Sequence, residues 1–344
     1  MAPFIYRGIF LNQRNNDDKW RYLVLRACLL LVSAIRPDFH VLNRELVYLA
    51  VLFDKPNAPE TPSLEDLNGP HPWVDLTGYL RLLSEGIGKA PKLPTEFEIR
   101  CRGTIEERHP EFFDRPFVVL LLRRRGKDSN AYETRIRDAG PDENYVSAVR
   151  FLTARGYRVV GQGQIDHSKF REIDGYYALD NLDVPAPLLN LFLLTKCRLY
   201  VGQHSGAYML TNSCGNRTCL VDTGTFVDGT FMKDDIVLFK RAYDTLTERW
   251  LSPIEIFQNH MDLALTYSLE SKGIRLEPNS PEEILGAVRE SIDSIESTLT
   301  LSPDDKRLCD AFRSIVPPTT LLHYKGNRTS LEVLRRDREF LRDV

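Results

Sequence analysis

Guanidinium forks and open backbone amides both bind phosphate oxygens, and this sequence gathers each kind of group into one short stretch. Arg123, Arg124, Arg125 and Lys127 follow directly on the apolar run FVVLLL, residues 117–122. Clustered guanidiniums at the end of a buried strand suit an oxygen-rich anion. The second stretch, Gly202, Gln203, His204, Ser205, Gly206 and Ala207, separates the run RLYV from a helical pattern that starts near Ala207. Its glycines leave backbone N–H groups uncovered at a helix start, where the helix dipole attracts an anion such as a diphosphate. His204 and Ser205 add side-chain donors. The plainer alternatives are a solvated basic loop for the first stretch and a tight turn capped by Ser205 for the second.

Further candidates lie where other strands should end. Gly161, Gln162 and Gly163 close the run YRVVGQG, and Asp222 closes TCLVD. Open glycine backbone at such a point can approach a nucleotide. The carboxylates of the loop after residue 124, Asp128, Glu133 and Asp138, are candidates for a general base that takes a hydroxyl proton. No Gly-x-Gly-x-x-Gly or Gly-x-x-x-x-Gly-Lys sequence occurs, which argues against a nicotinamide cofactor or a kinase. No His, Cys or carboxylate pair has metal-ligand spacing, so no metal is expected.

These groups need elements to hold them. From Phe117 onward, short apolar runs alternate with helical segments: FVVLLL, the helix DENYVSAVRFLTARG, YRVVGQG, the helix PLLNLFLLTKC, RLYVG, a helix from about Ala207, and TCLVD. Strands that read as continuous apolar runs are buried on both faces, and their alternation with helices predicts a parallel sheet. Tyr145, Val149 and Leu152 recur at helical spacing, with Gly156 as the left-handed stop. Ser280, Pro281 and Glu283 predict a capped helix start, and SPDD at 302–305 repeats it. Ligands of open parallel sheets bind beyond the carboxyl ends of the strands, so all the candidate segments should line one crevice.

Residues 1–54 read as two strand and helix pairs, PFIYRGIFL with WRYLVLRACLLLVSAI and DFHVL with NRELVYLAVLF, followed by a proline-rich loop over 55–73. The predicted division is an N-terminal α/β lobe at 1–105, a larger Rossmann-like lobe at 106–290 and a helical tail at 291–344. A chain of 344 residues with 42% hydrophobic and 27% charged residues can build such cores. The net charge of −3 gives no overall attraction to nucleic acid, so nucleic acid is not an expected partner. The most apolar N-terminal stretch, Tyr22 to Ile35, contains Arg26 and falls short of the ~20 apolar residues a membrane span needs. Six scattered cysteines without a Cys-x-x-Cys pair fit a reducing compartment, the cytoplasm.

The ordered set of motifs from FVVLLLRRRGKD through RIRDAGPDENYVSAVRFLTARGYRVVGQGQ and CRLYVGQHSGAYMLTNSCGNRTCLVD to KGIRLEPNSPEEI resembles a family of bacterial glycosyltransferases of polysaccharide and natural-product biosynthesis. The likeness covers about residues 100–290. More distantly it is similar to the donor lobes of fucosyltransferases and heptosyltransferases. The resemblance implies a GT-B-like α/β fold of two Rossmann-like lobes with parallel sheets. It also implies transfer of a sugar from a nucleotide diphosphate sugar to a small-molecule or glycan acceptor hydroxyl, inverting and metal-independent, with no cofactor beyond that donor. Arg123 takes the position of the family's strand-end arginine, Arg137-Asp138 that of an Arg-Asn pair, and Tyr145 that of a helix tyrosine. Gly163 matches a strand-end glycine, Gly202, Ser205 and Gly206 the phosphate loop, and Asn279, Ser280 and Glu283 the late helix start. Leu121 replaces a histidine, Asp138 an asparagine and Gln162 an arginine. Asp138 or Asp128 is then the expected base, with Arg123 stabilising the leaving diphosphate. The short first lobe leaves room for completion by a second copy or a partner subunit, and the lost histidine keeps open a noncatalytic nucleotide- or sugar-phosphate-binding partner protein.

Overall fold

The computed structural model describes residues 93–124, 138–179, 182–224, 229–230, 232, 234–259, 273–316, 322 and 327–342. By compactness the chain divides into two units, Met1–Tyr79 and Leu80–Val344, and every described residue belongs to the second. The two N-terminal strand and helix pairs, the loop at 55–73, and Arg125, Lys127, Asp128, Glu133 and Arg137 lie outside the described residues.

The described part of unit 2 starts with α1 (Thr95–Arg108) and then builds an α/β sheet. Strands β1 (Phe117–Leu122), β2 (Arg158–Gly163), β3 (Tyr176–Ala178), β4 (Leu199–Gly202), β5 (Arg217–Thr223) and β6 (Ile236–Phe239) are all parallel, in the order β3-β2-β1-β4-β5-β6. This is the doubly wound order, in which the winding direction reverses between the first strand and the fourth. The reversal opens a crevice above the carboxyl ends of β1 and β4, the two strands that deliver Arg123 and Gln203.

The apolar runs form strands because helices cover both faces. On one face Val118, Leu120, Val159, Leu199, Val201, Cys219 and Val221 pack with α2 (Val146–Ala154) and α6 (Pro281–Ile295) through Val149, Leu152, Ile284, Val288 and Ile292. Each such side chain, fully buried, contributes about 1.5–3 kcal/mol. On the other face Phe117 meets Phe113, whose ring lies edge-on to Phe192 of α3 (Ala186–Lys196) at 6.2 Å. The helical spacing of Tyr145, Val149 and Leu152 holds, all three being buried, and Gly156 ends the segment with φ +86°.

Beyond β6 the chain forms an antiparallel sheet that the sequence patterns do not announce: β7 (Arg241–Asp244), β8 (Arg249–Leu251) and, after α5 (Pro253–Asn259), β9 (Ile274–Glu277), in the order β8-β7-β9. Both predicted capping boxes are present: Ser280 with Glu283 at the start of α6, and Ser302 with Asp305 at the start of α7 (Pro303–Ile315). The C-terminal segment packs onto the sheet edge, where Val237 N–H donates to the Arg328 carbonyl at 3.0 Å, and α8 (Leu331–Arg336) follows. No described helix is long and apolar enough to cross a membrane.

Candidate anion site at the sheet crevice

The β4 to α4 connection is the centre of the site, with α4 running Gly206–Ser213. Ser205 stands at the N-cap position with extended backbone, yet its side chain makes no capping hydrogen bond. Its Oγ instead lies 3.2 Å from the Tyr200 hydroxyl, which also donates to the Gln203 carbonyl at 3.0 Å. The first amides of α4 are therefore not capped by the residue whose type suits that task, and Gly206 is exposed. Gly202 is required by close approach, since a Cβ there would fall on the Leu121 carbonyl oxygen and against the Tyr200 ring. His204 is half-buried and its Nε2 lies 3.0 Å from the Tyr208 hydroxyl.

The four strand ends are tied together by polar bonds. Arg123 N–H donates to Gln203 Oε1 at 2.9 Å, joining β1 to β4 across the switch point. Gln203 Nε2 donates to the Tyr145 hydroxyl at 3.0 Å, and that hydroxyl donates to Asp222 Oδ2 at 2.5 Å. Burial, the Asp222 charge and this bond push the Tyr145 phenol well above its ordinary range, so it keeps the proton it gives to Asp222. Asp222, wholly buried, also accepts from Gly140 N–H at 2.8 Å and Asn279 N–H at 2.6 Å, while its own N–H donates to Asn279 Oδ1 at 2.7 Å. It holds φ +52°, a left-handed conformation that aspartate tolerates better than most residues. Asp222 is thus the hub of a scaffold beneath the crevice rather than a group facing it.

Arg123 and Arg124, the described arginines of the basic run, divide their tasks. Arg124 forms a two-pronged ion pair with Asp142 at 2.9 and 3.0 Å and donates to the Gly140 carbonyl at 2.7 Å and the Gln164 carbonyl at 3.0 Å. Four of its five guanidinium N–H groups are taken by protein oxygens, so Arg124 staples the loop to the end of β2 and has only its Nε–H left for a ligand. Arg123 is tied to the β4 to α4 turn by its backbone N–H bond to Gln203, and its charge is felt there: burial raises the Tyr200 phenol, and the Ser205 bond and the Arg123 charge pull it back.

At the end of β2, Tyr176 and His167 lie over the Gly161 backbone, with His167 Nδ1 2.7 Å from the Tyr176 hydroxyl. Gly163 closes the strand, and Gln162 is 5% exposed with neither Nε2 nor Oε1 hydrogen-bonded. Asp138 is half-buried, and its Oδ1 is buried without a hydrogen-bond partner. Sequence reasoning missed Lys240, which directly follows β6 and is buried. Burial lowers its pKa, and the charges of Asp222, Asp138 and Glu277 oppose that shift. The apolar run IVLF before it was the available signal. Asp142 and Tyr200 were also missed: Asp142 acts through Arg124 and Asp166, 18 and 24 residues away, and Tyr200 stands inside an apolar run that reads as plain strand.

The structure thus brings Arg123, Gly202 to Ala207, Gly161 to Gly163 and Asp138 to the carboxyl-end rim of one parallel sheet, with Asp222 beneath. A rim of open amides and positive charge binds and polarises an anion. Comparison with known proteins gives no match: no family model, no curated protein and no solved structure matches this chain.

Proposed function

We propose that this unit is the donor lobe of a nucleotide-sugar-dependent glycosyltransferase of GT-B-like arrangement, holding the donor diphosphate at the first turn of α4. The carrying observation is the uncapped start of α4 at the switch point, with Ser205 turned away to Tyr200. Arg123 supports it, since its N–H is bonded to Gln203 of the same turn and its charge acts on the Tyr200 phenol there.

The chemistry follows from those positions. As the bond from the sugar's anomeric carbon to the diphosphate breaks, its electron pair passes to a phosphate oxygen. The amides of α4 and the Arg123 guanidinium stabilise that growing charge, which is larger in the transition state than in the bound donor. The acceptor oxygen bonds to the anomeric carbon from the opposite face and gives inversion, while its proton goes to the Asp138 carboxylate. The unpaired Asp138 Oδ1 supports this assignment, because the oxygen has a lone pair not engaged by a protein donor.

The test is a transfer and hydrolysis assay with pooled nucleotide sugars, run with and without a chelator. Turnover that survives chelation and falls at least a hundredfold in Asp138→Asn, with nucleoside diphosphate affinity retained, is expected, since a positioned acid or base contributes about 10²–10⁴-fold. Tight nucleotide binding with no transfer to any acceptor would instead favour a noncatalytic binding protein.

A further inference from the structure

Gln162 has an environment that folding alone does not explain. It is the penultimate residue of β2, 5% exposed, and both polar atoms of its side-chain amide lack hydrogen-bond partners. Buried side-chain amides are nearly always bonded, because an unmade bond forfeits the water it replaced. A methionine or leucine would fill the same volume without that penalty.

The register shows what the amide faces. Gln162 pairs with Leu121 of β1, and Leu121 pairs with Gly202 of β4. Partners in a parallel ladder share a face: Val118, Val159 and Leu199 are partners, and all three lie in the core on the opposite side. Gln162 therefore shares its face with Gly202 and the turn into α4. Two strand spacings separate them, roughly 10 Å. That is farther than a pyrophosphate reaches and comparable to the reach from it across one sugar ring.

We propose that Gln162 is the specificity-determining residue that reads the organic part of the ligand whose diphosphate lies at α4. This inference rests on the diphosphate placement proposed above. A side-chain amide offers one acceptor and an N–H donor side by side, and its complement is an adjacent donor and acceptor. Nucleobase edges carry that pair, and so do neighbouring hydroxyls of a sugar.

The test uses the full chain with Gln162→Met and Gln162→Glu, titrated with inorganic pyrophosphate, with uridine, guanosine, adenosine, cytidine and thymidine diphosphates, and with glucose 1-phosphate. In Gln162→Met the free protein is expected to melt at the same temperature as wild type or higher. Affinity for the best nucleoside diphosphate, or for glucose 1-phosphate, should fall roughly tenfold or more while pyrophosphate is unchanged. Whichever organic ligand is weakened identifies the group that Gln162 reads. In Gln162→Glu, which keeps the shape but loses the donor, the same ligand should be weakened. Equal weakening of pyrophosphate, no change for any ligand, or a melting temperature lowered by several degrees in Gln162→Met would overturn the proposal. A wild-type chain that binds neither pyrophosphate nor any nucleoside diphosphate would overturn the α4 site as well, so the two failures are distinguishable.

Discussion

Tyr145→Phe removes one oxygen from the buried chain that runs from Asp222 to the backbone of Arg123. The oxygen has two partners, a charged acceptor in Asp222 at 2.5 Å and a donor in Gln203 at 3.0 Å. Losing a hydrogen bond to a charged group costs about 1.5–3 kcal/mol, and leaving the buried Gln203 donor unmade adds about 1–3 kcal/mol. The two effects share one network and do not simply add, so about 3–5 kcal/mol is expected. For a folding unit of this size, 1 kcal/mol corresponds to roughly 2–4 °C, which gives a fall of roughly 6–20 °C in melting temperature. Tyr157→Phe is the internal control, since its hydroxyl donates to Glu296 at 3.0 Å in a partly exposed setting and should cost about 1 kcal/mol. Thermal and urea unfolding of both variants measure the difference. Because Gln203 Oε1 accepts from Arg123 N–H, nucleoside diphosphate affinity should fall in Tyr145→Phe and not in the control. A Tyr145→Phe variant no less stable than Tyr157→Phe would refute the claim that this network holds the crevice.

Arg123→Ala should weaken nucleoside diphosphate binding by about 1.5–3 kcal/mol, measured by titration calorimetry, and unchanged affinity would remove Arg123 from the site. Gly202→Ala must push a methyl group into the Leu121 carbonyl, so it should destabilise the unit by about 1–3 kcal/mol in urea unfolding and abolish ligand-induced stabilisation. The Arg335 guanidinium holds the Asp305 carboxyl far below its ordinary value of 3.8. That stability is present above the ordinary value and lost as pH falls below it, so wild type should lose more stability than Asp305→Asn between about pH 5 and about pH 2.

The parts of the fold that were legible in the sequence are those whose signal is local. FVVLLL forms a central strand because only a strand buried on both faces can be apolar at every position. Ser280 and Glu283 cap α6 because the two reciprocal bonds lie within one turn. β3, at three residues, is too short to show a period, and β7 to β9 carry Arg241, Asp244, Arg249, Arg275 and Glu277 among their few apolar positions. The carboxyl-end rim of the sheet was legible for a similar reason: strand ends and glycine turns are marked in the sequence. Which polar group faces the ligand was not. Arg123 and Arg124 are adjacent and identical in type; the Arg124 guanidinium is bound by Asp142, 18 residues away, whereas the bond of Arg123 to Gln203, 80 residues away, is made by its backbone N–H. Asp222 reads as a strand-end ligand group, yet Asn279, 57 residues on, and Tyr145, 77 residues back, bury it as a support.

The proposed function requires a diphosphate on the first amides of α4, at the switch point between β1 and β4. A crystal structure of the chain with the nucleoside diphosphate that most raises its melting temperature tests this directly. The expected result is phosphate oxygens within about 3 Å of the backbone N–H groups of Gly206 and Ala207, with the Arg123 guanidinium alongside. A diphosphate bound anywhere else on the molecule, with the α4 start left to solvent, would contradict the account.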